Sequence, residues 1–120
     1  MDFMQSLIGI PYKDGGASPE NGFDCYGLVC WVVREGLSVV LPRNTIGWRR
    51  YGEIVEGRPE NIRRYDILFF CPLIPDVVTH VGIANNCSEF THAGSTFGGV
   101  VCEPISKYID CIKAIRRIKT

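Results

Sequence analysis

Six cysteines and two histidines are the residues of this 120-residue chain best suited to covalent chemistry. Among the thiols, Cys25 stands apart. It lies in Gly22-Phe23-Asp24-Cys25-Tyr26-Gly27-Leu28-Val29, where a glycine-rich loop gives way to an apolar run that reads as a helix. A thiol in a first helical turn meets unpaired backbone N–H groups and the positive end of the helix dipole, so its thiolate is favoured. On that ground iodoacetamide near pH 6 is expected to modify Cys25 ahead of the other five cysteines. His80 opens the apolar run Thr79-His80-Val81-Gly82-Ile83-Ala84, and His92 closes Phe90-Thr91-His92-Ala93. Two antiparallel strands joined at Asn85-Asn86 bring these rings side by side. A thiolate, an imidazole base and a polar group that fixes the imidazole are what nucleophilic amide hydrolysis requires. Taken singly, each residue has an ordinary structural reading: a satisfied strand-end histidine, an inert helix-capping cysteine. The three could also supply zinc ligands, but none shares the short fixed spacing of metal motifs, and no metal or cofactor is expected.

The elements that must position these groups follow from the pattern. Residues 2–8 read as a short opening helix, and 9–22 form a long turn-rich loop. Residues 25–36 fit a helix capped by Asp24 and stopped by Gly36, although Val and Trp there also suit a strand. A second helix is expected from about Ile46 to Val55, after Leu41-Pro42-Arg43. From Tyr65 onward the texture turns to short β segments: 66–71, 77–84, 89–92 and 100–102, punctuated by Pro, Asn or Gly. The tail has an ambiguous period and is read as a short helix over 104–110 and a closing strand over 112–118. Helices first and strands after predict an α+β domain with helices packed on an antiparallel sheet.

Composition sets limits on this. The chain is 46% hydrophobic and 22% charged, ordinary for a soluble globular domain, and residues 1–120 are expected to form one domain. Formal net charge is zero, so no nucleic-acid partner is expected. Arg49-Arg50, Arg63-Arg64 and Arg116-Arg117 read as solvated charge rather than an anion patch. No apolar run approaches the roughly 18 residues of a membrane span. The start lacks the basic and apolar regions of a secretory signal, which predicts a cytoplasmic location at synthesis. The six cysteines contain no C-x-x-C and are expected to be free thiols.

Taken in order, the motifs resemble the NlpC family of papain-like cysteine peptidases, which cut bacterial cell-wall peptides. That family carries Asp-Cys-Ser-Gly-Leu-Val at a helix start, preceded by Pro-Tyr-x-x-Gly-Gly and Gly-Phe. Here stand Pro11-Tyr12-Lys13-Asp14-Gly15-Gly16 and then the octet around Cys25. Leu41-Pro42-Arg43, Asp66-Ile67-Leu68-Phe69-Phe70, the run from His80 to Ile83, His92-Ala93 and Arg116-Arg117 match later family segments. The resemblance implies Cys25 as nucleophile, His80 as general base and then acid, and His92 as the orienting third residue. It further implies that Tyr12 helps hold the oxyanion, with the Cys25 N–H as a second donor. Asp24 matches an acidic residue that meets the free amine of the substrate.

Two positions depart from the family pattern. Tyr26 replaces the usual serine and would reshape the substrate-side wall. Such variants are familiar in phage tail-associated members. Arg64-Tyr65 stands where Pro-Gly usually precedes Asp66. The resemblance implies a papain-like α+β fold and a cysteine endopeptidase or amidase acting on peptidoglycan stem peptides. The bond would be that between D-γ-glutamyl and a diamino acid, cut through an acyl-enzyme. An alternative is a phage tail assembly or structural component that binds or processes cell-wall peptide, with tail proteins as partners and a virion or cell-wall location. Acyl transfer on the same scaffold is a third reading.

Overall fold

Asp24 decides where the main helix begins. Its backbone is extended, and its Oδ1 accepts the Gly27 N–H at 2.7 Å, satisfying one of the orphan donors of the first turn. Helix α1 then runs Cys25–Leu37. These assignments come from a computed structural model that describes residues 2–42, 52–56, 59–74 and 77–119. Gly36 does not stop the helix. Ser38 takes the left-handed conformation (φ 59°), and its N–H bonds the Arg34 carbonyl. The ring of Tyr65 instead occupies the space beside Gly36.

Before α1, the opening helix is reduced to one 3-10 turn, Gln5–Leu7. The turn-rich loop contains a small hairpin that its composition did not predict, β1 (Ala17–Ser18) against β2 (Gly22–Phe23). This hairpin is pressed onto the start of α1. A Cβ on Gly27 would collide with the Gly16 carbonyl, so only glycine allows the loop and helix to approach so closely.

The larger sheet is built from β3 (Glu53–Ile54), β4 (Ile67–Phe70), β5 (His80–Ala84), β6 (Glu89–Gly94), β7 (Gly99–Pro104) and β8 (Ile112–Arg117). Its spatial order is β3-β8-β4-β5-β6-β7, with every neighbouring pair antiparallel. The expected helix over 46–55 falls largely outside the described residues. Its described end corrects the expectation, because Glu53–Ile54 is a strand paired with β8. Arg43, Arg49-Arg50 and the Pro75-Asp76 turn also lie outside the described residues. In the tail, a 3-10 turn, Ile105–Cys111, precedes β8, close to what the sequence predicts.

All four residues of β4 are buried, which explains why its sequence does not alternate. Ile67 and Phe69, with Val81, Ile83, Ala93 and Val100, pack against Leu28, Val29, Val32 and Val33 of α1. Leu68 and Phe70, with Ala84 and Phe90, face a second layer holding Ile62 and Ile105. The sheet is therefore covered on both faces. One charge lies beside this core: Asp66, 1% exposed, is held by Arg117 through Nε at 2.9 Å and Nη2 at 2.8 Å. Arg64 grips Asp2 in the same bidentate way, at 2.9 and 2.7 Å. At least two arginines of the Arg pairs are thus engaged within the chain. No helix among the described residues is long and apolar enough to cross a membrane.

Candidate active site

The candidate residues gather from two directions. From the N-terminal side, Tyr12 is tied by its N–H to the Gly98 carbonyl at 2.9 Å and bridges Phe23. Asp24, Cys25 and Tyr26 follow directly at the start of α1. Asp24 is buried, and while Oδ1 caps the helix, Oδ2 accepts the Gly15 N–H at 3.1 Å. Its carboxylate thus fixes both the helix start and the loop above it. Tyr12 and Tyr26 are half-buried against the same core cluster as Cys25.

From the sheet come the histidines. The β5–β6 register sets Ile83 opposite Thr91 and Ala84 opposite Phe90. Continued outward, it puts Gly82 beside His92, and a Cβ on Gly82 would crowd the Phe90 ring and the His92 Cβ. That missing side chain leaves room for the His80 ring to reach across diagonally. His80 Nε2 lies 2.8 Å from His92 Nδ1. Asn86 builds the connecting turn by accepting the N–H groups of Ser88 and Glu89 at 2.8 and 2.9 Å. The sulfur of Cys25 lies at the Val81 amide, which follows His80 directly on strand β5.

The sequence did not single out Glu103. On β7, Val101 stands opposite His92, and Glu103 is the next residue on that face. Its Oε1 lies 2.7 Å from His92 Nε2. The Lys107 ammonium donates to Oε2 at 2.8 Å and the Tyr108 hydroxyl to Oε1 at 2.7 Å. A line of contacts thus steps diagonally across three strands, from His80 to His92 to Glu103. The available signal was a carboxylate in the otherwise apolar run Val100-Val101-Cys102-Glu103, since strands rarely bury an acid without a partner. Around His92 the packing is aromatic: Phe90 stacks at 4.6 Å, and Phe97 and Tyr108 meet it edge-on at 5.7 and 6.1 Å. A groove of about 500 Å³ opens beside both imidazoles, walled by Leu73, Thr79, Ser95 and Phe97.

Electrostatics correct one expectation. Burial pushes the Cys25 thiol above its ordinary value, and the neighbouring Asp24 carboxylate pushes the same way. Amide groups of Val81, Tyr26 and Cys25 itself pull it down, but less strongly. A position at a helix start does not by itself yield a thiolate here, because Cys25 is only 8% exposed. Burial, then the proximity of His92, pushes His80 down to about 4. Burial also lowers His92, against the opposing pull of Glu103. For Glu103, burial alone would raise the carboxyl, but hydrogen bonds from Lys107, Tyr108 and His92 together hold it below its ordinary value. Near neutral pH Cys25 therefore rests as a neutral thiol, and His80 and His92 as neutral imidazoles, with the Glu103 carboxylate behind them. A thiol in that state becomes a nucleophile only by giving up its proton to a base.

Known proteins carry the same arrangement of chain. The sequence is 36% identical over 89 residues to a gamma-DL-glutamyl hydrolase of Bacillus subtilis (strain 168), covering 74% of this chain and 21% of that protein. It is 32% identical over 101 residues to the murein DD-endopeptidase MepS/murein LD-carboxypeptidase of Escherichia coli (strain K12), covering 84% of this chain and 51% of that one. The chain thus spans about a fifth of the first relative and about half of the second. Among solved structures, NlpC2 from Trichomonas vaginalis superposes with a TM-score of 0.86 at 27% identity, over 98% of this chain and 45% of that one. The fold is accordingly the papain-like α+β type. The NlpC/P60 family matches residues 9–113, a span that takes in the Tyr12 loop, the helix start, both histidines and Glu103. This chain belongs to the NlpC/P60 family.

Proposed function

We propose that the chain is a cysteine peptidase domain that hydrolyses peptidoglycan stem peptides at the bond between D-γ-glutamyl and a diamino acid. The observations that carry this reading are the Cys25 sulfur at the Val81 amide, the residue after His80, and the 2.8 Å His80–His92 pair. The names of the relatives support the substrate class: one is a gamma-DL-glutamyl hydrolase, the other acts on murein.

The chemistry balances with the groups present. As Sγ of Cys25 attacks the carbonyl carbon, neutral His80 takes the thiol proton and a C–S bond forms. The Cys25 N–H and the Tyr12 hydroxyl receive the developing oxyanion. His80 then returns its proton to the leaving amine as the C–N bond breaks, leaving a thioester on Cys25. Water, deprotonated by His80, hydrolyses the thioester and restores the thiol. His92 holds the His80 ring in line throughout. Asp24 meets the free amine of the substrate, and Tyr26 shapes the wall on that side of the cleft.

Mass spectrometry of a digest of purified muropeptides tests the bond assignment. The expected products are a peptide ending in a free D-glutamyl γ-carboxyl and one beginning with the diamino acid. Intact muropeptides, or cleavage at another bond, would overturn it. The tail-component reading rests on Tyr26. Sedimentation of the protein with isolated cell walls without release of peptide would favour that reading.

A further inference from the structure

We propose that Glu103 is a positioning residue that, acting through His92, fixes the proton on His80 Nε2 and leaves His80 Nδ1 as the base for Cys25. Hydrogen-bond valence along the chain of contacts fixes where each proton sits. An ionised carboxylate accepts and cannot donate. Glu103 Oε1 lies 2.7 Å from His92 Nε2, so that nitrogen must carry a proton. In a neutral imidazole the other nitrogen is then a lone pair, and His92 Nδ1 faces His80 Nε2 at 2.8 Å as an acceptor. His80 Nε2 must therefore be the donor. Its remaining nitrogen, Nδ1, is the one nearer the main chain, where the adjoining Val81 amide meets the Cys25 sulfur. The opposite placement would set two lone pairs against each other at the Glu103–His92 contact.

The carboxylate is itself held so that it cannot turn away. Lys107 and Tyr108, both in the 3-10 turn after β7, donate to its two oxygens at 2.8 and 2.7 Å. Lys107 also keeps it ionised, which preserves its acceptor-only character. Supporting residues that fix an imidazole tautomer can matter as much as those touching the substrate. The proposal rests on His80 being the base, as proposed above.

The test compares the wild-type chain with Glu103→Leu, which removes the acceptor, and Glu103→Gln, which keeps an acceptor oxygen without the charge. Imidazole nitrogen chemical shifts, which need no substrate, report the tautomers directly. In the wild type both His80 and His92 should be protonated at Nε2. In Glu103→Leu the His80 signal should shift toward a mixture of tautomers, with kcat falling on the order of 100-fold while KM stays within about twofold. Glu103→Gln should retain the wild-type tautomers and recover part of kcat. A wild-type His80 protonated at Nδ1 would overturn the proposal even if no variant folded. So would unchanged His80 shifts in a folded Glu103→Leu chain. Absence of peptide cleavage by the wild type, with the tautomers as stated, would count against the peptidase reading and leave the proton placement standing.

Discussion

His80 takes up a proton far below the range of an ordinary imidazole, and both activity and stability inherit that. With its value at about 4 in the folded chain, the base stays neutral through mildly acid solution. The acid limb of kcat/KM should fall near pH 4, with most activity kept at pH 5.5. Half-loss near pH 6.5 would contradict this. Stability follows by linkage: above pH 6.5 His80 is neutral in both states, and its contribution is complete. As pH falls from 6.5 to about 4, the unfolded chain binds a proton that the folded chain refuses, and about 3 kcal/mol is lost. Urea midpoints across that window should drop in the wild type and drop less in His80→Gln. At pH 6 iodoacetamide should modify exposed Cys87 before Cys25, reversing the order expected from the helix start alone. Cys25, His80 and His92 were legible as residue types at suggestive positions. The resting protonation of Cys25 was not, because burial is a property of the whole fold.

Among the elements, the start of α1 was legible because its signal is local: a capping aspartate followed by apolar residues. Its end was not, since Ser38 takes a left-handed backbone that composition assigns to glycine, while Gly36 makes room for Tyr65 from a distant turn. The β1–β2 hairpin was hidden for a related reason, as it exists by pressing against Gly27. Gly27→Ala should therefore destabilise the fold by more than 1 kcal/mol, although alanine is the better helix former by roughly that amount. Asp24→Ala should cost about 1–2 kcal/mol through the lost cap, and more if the Gly15 contact also matters. Chemical denaturation checks both. Stabilisation by Gly27→Ala would show that the loop yields easily. The diagonal from His80 to Glu103 needs the register of three strands, which alternation hints at and pairing alone decides.

For the whole molecule, the α+β class was legible from the change in texture at Tyr65, but not the second layer over the sheet. That layer comes from Ile62 and the turn after β7, whose apolar residues have no clear period. Asp66 and Arg117 join β4 to β8 at the edge of this core. Arg117→Met should cost about 3–5 kcal/mol by leaving a carboxylate buried without its partner. Arg64→Met, at the more exposed Asp2 pair, should cost under about 1 kcal/mol. Equal losses in urea denaturation would show that burial does not set the difference. Between these layers, α1 carries Cys25 and strand β5 begins at His80. The most direct measurement is turnover of a stem peptide, L-alanyl-D-γ-glutamyl-diamino acid, by wild type and Cys25→Ala side by side, with folding confirmed by circular dichroism. The wild type should release the diamino acid, and the folded Cys25→Ala chain should release none above background. Equal release by the two proteins would contradict the assignment of Cys25 as the nucleophile.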